Sequence, residues 1–221
     1  SMGVGVTTGD YNVALGYRAG EDLASANTTT LVGAFAGLNL TSGTNNTAVG
    51  YAALATEDAH GWNTAVGYAA LNYLNAGDDS YNTAVGSGAG AAMTTGVRNT
   101  IMGGLAGDAL TTGSYNVALG RGALSTEDAG SRNVAIGYEA LATQNAGVSV
   151  YNTAIGFQAA DHITSGVQNT IIGGLAGNAI NTGDNNIVIG YNAAASAVGV
   201  DNETVIGTTA TTNAKVHGLV K

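Results

Sequence analysis

The stretch NTAVGYAALNYLNAGDDSYNTAVG, residues 63–86, holds two copies of one short phrase, and the spacing between such copies decides the fold. The phrase runs Asn, any residue, a small or apolar residue, a larger apolar residue, Gly. Outward from this stretch it recurs along the chain, as NVALG at 12–16, NTAVG at 46–50, NTIMG at 99–103 and NIVIG at 186–190. Weaker copies, TTLVG and ETVIG, end at Gly33 and Gly207. The closing glycines fall at 16, 33, 50, 67, 86, 103, 120, 137, 156, 173, 190 and 207. The step from one to the next is 17, except for two steps of 19, and Ala stands at the third position after every one of the twelve. The wider coils carry LNYLNAGDDS (71–80) and LATQNAGVSV (141–150), which places a second period of 70 on top of the first. The domain reading follows: 1–10 as N-terminal scar and first partial coil, 11–210 as solenoid in blocks 11–80, 81–150 and 151–210, and 211–221 as an exit segment. Ser1-Met2-Gly3 reads as a tag remnant ahead of a cloned fragment.

A unit this short cannot hold a helical hairpin repeat, and no apolar face recurs at helical spacing. Strand alternation fits instead, with Gly at the corners and turns such as Thr41-Ser42-Gly43 and Thr94-Thr95-Gly96 between coils. The expected fold is an all-β parallel β-roll, or β-solenoid, of about twelve coils. Ten coils open on an Asn: Asn12, Asn46, Asn63, Asn82, Asn99, Asn116, Asn133, Asn152, Asn169 and Asn186. Stacked coils would stack these amides into a ladder bonded along the rod. A group present in nearly every coil reads as scaffold.

Alternation places the first and third residues of the phrase on one face and the second and fourth on the other. The fourth is apolar in all twelve coils, including Val49, Val66, Val85, Met102, Leu119, Ile136, Ile155, Ile172 and Ile189. Facing out, it would form a long apolar stripe that needs a cover, most economically further copies of the chain. A wider coil closing on itself is the alternative.

Composition agrees with thin layers of small side chains: 35 Gly, 2 Phe, 1 Trp, and neither Pro nor Cys in 221 residues. Six basic residues against fifteen acidic ones leave a net charge of −9, which disfavours nucleic acid and anionic membrane surfaces as partners. No apolar run reaches the roughly 18 residues of a membrane span.

The strand–Gly–x–x–Ala register resembles the head domain of trimeric autotransporter adhesins. The NTAVGYxA…TTG coils are similar to β-roll segments of phage tail fibres. The likeness covers about residues 3–210, although these coils are longer than those of the adhesins. It implies a left-handed roll, a homotrimer, an extracellular place on a virion tail fibre or bacterial surface, and host attachment through an unidentified receptor such as a glycan.

No phosphate-binding, metalloprotease or nucleophile-elbow motif occurs, so no enzyme, cofactor or metal is expected. His60, His162 and His217 read as exposed turn residues, and Glu57/Asp58, Asp78/Asp79 and Glu127/Asp128 as solvated acidic turns. An enzyme would need a non-repeating acidic pair in a groove, with Asp78/Asp79 the one candidate; its counterpart coil has Val148 and Ser149. The residue before the ladder Asn varies. Trp62, Tyr81, Tyr115 and Tyr151 there are candidate ligand contacts, with corner capping as the plainer reading. A carbohydrate-binding or ice-binding solenoid is the alternative function. The Thr pairs lie in turns, so no flat Thr face is expected.

Overall fold

A computed structural model describes residues 8–147 and 149–211. Ser1–Gly3, Thr7, Val148, His217 and the exit segment from residue 212 lie outside the described residues. Each coil contributes one strand of three residues: β1 (Val13–Leu15), β2 (Thr30–Val32), β3 (Thr47–Val49), β4 (Thr64–Val66), β5 (Thr83–Val85) and β6 (Thr100–Met102). The series continues with β7 (Val117–Leu119), β8 (Val134–Ile136), β9 (Thr153–Ile155), β10 (Thr170–Ile172), β11 (Ile187–Ile189) and β12 (Thr204–Ile206). All pair in parallel, in chain order, as one sheet of twelve strands. Register is uniform: Thr47 faces Thr64, Ala48 faces Ala65 and Val49 faces Val66. The two wide coils keep it, since Thr83 still pairs with Thr64, and Thr153 with Val134. Their two extra residues are absorbed in the turn. The chain is thus a parallel β-solenoid, with no helix among the described residues.

Left-handed backbone makes the corners. The residue before each ladder position has φ between 51° and 65° in all twelve coils, including Trp62, Tyr81 and Arg132. Bulky residues adopt that region at a cost of order 1 kcal/mol, so the stack must impose it. The closing Gly is required twice over. Gly50 has φ 136°, and a Cβ there would run into the carbonyl oxygen of Gly67 directly above.

In seven coils the lumen is filled by complementary pairs. Where the third residue of the phrase is large, as in Leu31, Ile101 and Ile171, the residue four after the closing Gly is Gly37, Gly107 or Gly177. Where the third residue is Ala48, Ala65, Ala118 or Ala135, that position is Leu54, Leu71, Leu124 or Leu141. All of these aliphatic side chains are buried. A Cβ on Gly37 would sit 2.7 Å from Leu31 Cδ2, so the two positions share one volume.

The Asn ladder is buried too, except for the half-buried Asn12, and it bonds mainly to backbone rather than amide to amide. Asn99 Oδ1 accepts the backbone N–H of Asn116 at 2.9 Å, and Asn116 Oδ1 that of Asn133 at 2.9 Å. Asn116 Nδ2 donates to the Gly130 carbonyl at 2.9 Å, and Asn82 Nδ2 to that of Gly96 at 2.8 Å. Amide-to-amide bonds add to this at Asn99–Asn82 and Asn186–Asn169. Each side chain therefore satisfies corner groups that the short strands cannot reach. The wide coils disturb the pattern. Asn63 Nδ2 turns to Ser80 Oγ at 3.0 Å, whereas Asn133, whose counterpart neighbour is Val150, leaves Nδ2 buried without a partner.

Candidate functional site

Strands this short put only the middle side chain inside. The second and fourth residues of the phrase both point outward, and none of the described residues covers them fully. The fourth-position column is half-buried at Val49, Val66, Val85, Leu119, Ile136 and Ile189, and exposed at Met102, Ile155 and Ile172. Among the described residues no wider coil closes over this column. Beside it runs a second column of Thr30, Thr47, Thr64, Thr83, Thr100, Thr153, Thr170 and Thr204, broken by Val13, Val117, Val134 and Ile187. The outward threonines are those inside the phrase, not those of the turns, and the column they form is interrupted.

Aromatic columns border this face on both sides of the strand. Ahead of it, the corner residues Trp62, Tyr81, Arg98, Tyr115, Arg132 and Tyr151 form one continuous ladder. Trp62 stacks on Tyr81 with centroids 5.7 Å apart and planes 18° off parallel. Arg98 lies 5.9 Å from the Tyr81 ring and 5.5 Å from the Tyr115 ring, and Arg132 lies 5.5 Å from Tyr115 and 5.4 Å from Tyr151. Arg98 Nη1 donates to the Tyr115 hydroxyl at 2.6 Å. Both faces of Tyr115 are thus occupied by guanidinium groups, and each contact contributes on the order of 0.5–1 kcal/mol at an exposed site. The four candidate contact residues share this ladder, and each remains about half exposed. Tyr11 stands apart, largely exposed.

After the strand, Tyr17, Phe35, Tyr51 and Tyr68 form a second aromatic run with centroids 5.3–5.5 Å apart, and Tyr138 stacks on Phe157 at 5.3 Å. Sequence reasoning passed over this border. Its signal was present in the GY and GF pairs after the closing glycines, at Tyr17, Tyr51, Tyr68, Tyr138 and Phe157.

The acidic residues do not behave as a set. Asp78 and Asp79 are exposed, and they accept the Asp79 and Gly61 amides at 2.8 and 3.0 Å as turn caps. Glu57 and Glu127, expected in solvent, are buried; only Asp58 and Asp128 are exposed. His60 is half-buried against Glu57, whereas His162 is exposed. Burial pushes the Glu57 carboxyl above its usual range, against weaker opposition from the backbone and ring of His60. A groove of about 420 Å³ between coils is lined by Leu105, Asp108, Arg121, Glu139 and Thr143. Burial raises Asp108 within it, while hydrogen bonds from Gln158 and Tyr138 lower Glu139. Glu139 is also held by Arg121 at 3.5 Å, so its carboxylate is committed to neighbouring coils.

Comparison with family models, curated proteins and solved structures gives no match to this chain. The adhesin and tail-fibre likeness therefore rests on the repeat alone.

Proposed function

We propose that the chain is one strand-bearing third of a rigid, left-handed homotrimeric rod for surface attachment, a module of a phage tail fibre or bacterial surface adhesin, outside the cell and without catalysis. The outward apolar column carries this reading. From the Thr column to the aromatic border the face is roughly 13 Å wide, and eleven steps of about 4.8 Å make it about 53 Å long. The product, on the order of 700 Å² with the Thr column included, approaches the ~800 Å² that one partner gives to a stable interface. A second copy matches it because in-register strands repeat the same side chains at the same intervals. The resemblance to trimeric adhesin heads supplies the number three and the handedness. Variable ladder residues outside the interface, Trp62 to Tyr151, are the candidate contacts to a host receptor such as a glycan, through rings, hydroxyls and the two arginines.

Light scattering coupled to size exclusion tests the assembly. A species of three times the 21.7 kDa chain mass is expected, and a stable monomer overturns the reading. The Thr column favours one other reading, an ice-binding face, since threonines on a flat sheet at regular intervals offer ordered hydroxyls and methyls. A stable monomer with thermal hysteresis is the outcome that would establish it.

A further inference from the structure

One lumen column lies at the seventh position after the closing Gly in the first ten coils. It is filled by Leu23, Leu40, Leu74, Met93, Leu110, Ile163 and Ile180, all buried. Glu57, Glu127 and Gln144 interrupt it, and all three side chains are wholly out of solvent. A carboxylate in such a column needs partners on both oxygens.

Glu57 and Glu127 hold the same place in successive long blocks, and their coils meet this need differently. Glu127 Oε1 accepts the Gly130 and Asp128 amides at 2.7 and 3.1 Å, and its Oε2 accepts Gln144 Nε2 at 2.7 Å. In the earlier coil, Leu74 stands where Gln144 would be, and His60 stands where Gly130 would be. Glu57 Oε1 takes the His60 backbone N–H at 3.1 Å and its ring Nδ1 at 3.2 Å. Glu57 Oε2 is buried with no hydrogen-bond partner at all. The Ala76 amide lies near enough to favour the ionised carboxyl, without closing a hydrogen bond to it. Asp58, exposed beside the same corner, brings a third ligand atom. One atom each from Glu57, Asp58 and His60 lies within 4.8 Å of the others.

We propose that Glu57, Asp58 and His60 bind a first-row divalent transition cation of the Zn²⁺ class, which supplies the charge that Glu57 Oε2 lacks. Two carboxylates and an imidazole suit such an ion, whereas Ca²⁺ and Mg²⁺ call for oxygen donors throughout. The exposed Asp58 and half-exposed His60 leave a route from solvent, with water to complete the coordination. Glu127, capped by Gln144 and lacking the histidine, is the internal control and binds no ion.

The test is calorimetric titration of ZnCl₂ into the chelator-treated full chain, beside two variants that copy the second coil. One Zn²⁺ per chain is expected. His60→Gly removes a ligand, and Leu74→Gln keeps all three ligands but caps Oε2. Each should weaken binding by on the order of tenfold or more. No saturable binding overturns the proposal, as does binding unchanged by His60→Gly, which marks adventitious surface metal. Binding unchanged in a folded Leu74→Gln chain overturns the role given to Oε2.

Discussion

Asn116→Ala measures what one rung of the ladder contributes. The side chain is fully buried at mid-rod and makes two bonds to other coils: Oδ1 to the Asn133 N–H and Nδ2 to the Gly130 carbonyl, both at 2.9 Å. Alanine strips both backbone groups of these partners in a lumen of aliphatic side chains. The bond from the Asn116 N–H to Asn99 Oδ1 survives, because it uses backbone. Leaving a buried polar group unsatisfied costs about 1–3 kcal/mol. Two such groups, with some relief from water entering the vacated space, give a loss of about 3 kcal/mol. In a chain of this size that corresponds to a Tm lower by on the order of 10 °C. Thermal melting followed by circular dichroism, at one fixed chain concentration because assembly and folding are coupled, reads it directly. A drop under about 2 °C would show that the ladder is decoration and that the strands hold the stack alone.

Three further outcomes follow from other positions. Ile136→Glu places a charge in the outward apolar column and should abolish the trimer and much of the folded population together; light scattering that still shows a full-mass folded assembly refutes the covering role of the stripe. Val150→Ser copies Ser80 and offers Asn133 Nδ2 the acceptor that Asn63 has at 3.0 Å. The lost methyl burial alone would cost about 1–2 kcal/mol, so stability unchanged or slightly raised supports the orphaned amide, and a Tm drop of several degrees counts against it. Glu57 holds its proton more tightly when folded than the unfolded value of 4.5. Its contribution is then fully present below about pH 4.5 and is lost as pH rises through the raised folded value. With chelator present, Glu57→Gln should gain in Tm relative to the parent from pH 4 to pH 8, and a constant difference across that range refutes the ionisation cost.

The coil count, strand positions and inward Asn and Ala were legible because a strict period fixes register before any contact is known. The outward apolar column was legible for the same reason. The pairing of Leu31 with Gly37 and of Ala48 with Leu54 was written in the sequence as a size exchange, yet it needs the coil's cross-section to be read as one volume. Glu57 could not be placed from its neighbours, since Thr-Glu-Asp looks like a turn. Only its phase, shared with Leu40 and Leu74, reveals it as a lumen position. The aromatic columns were visible as residue types, but their ring faces close on neighbouring coils, and that depends on left-handed corners that Trp, Tyr and Arg do not signal. Handedness and chain number are not encoded by the period at all.

The wide coils keep the strand register on both sides, and this has a consequence for how such a rod changes length. The rung bonds reach no further than the adjacent coil, so stability accumulates by nearest neighbours. Each long block begins and ends at the same phase: Tyr81-Asn82 and Tyr151-Asn152 occupy equivalent places. Recombination between blocks of equal phase would remove or add four coils without a seam, and shift the distal end by about 19 Å at ~4.8 Å per coil. Reach becomes a heritable integer. It can drift independently of what the corners display, because the left-handed backbone at those corners is set by the stack and not by the residue that occupies it.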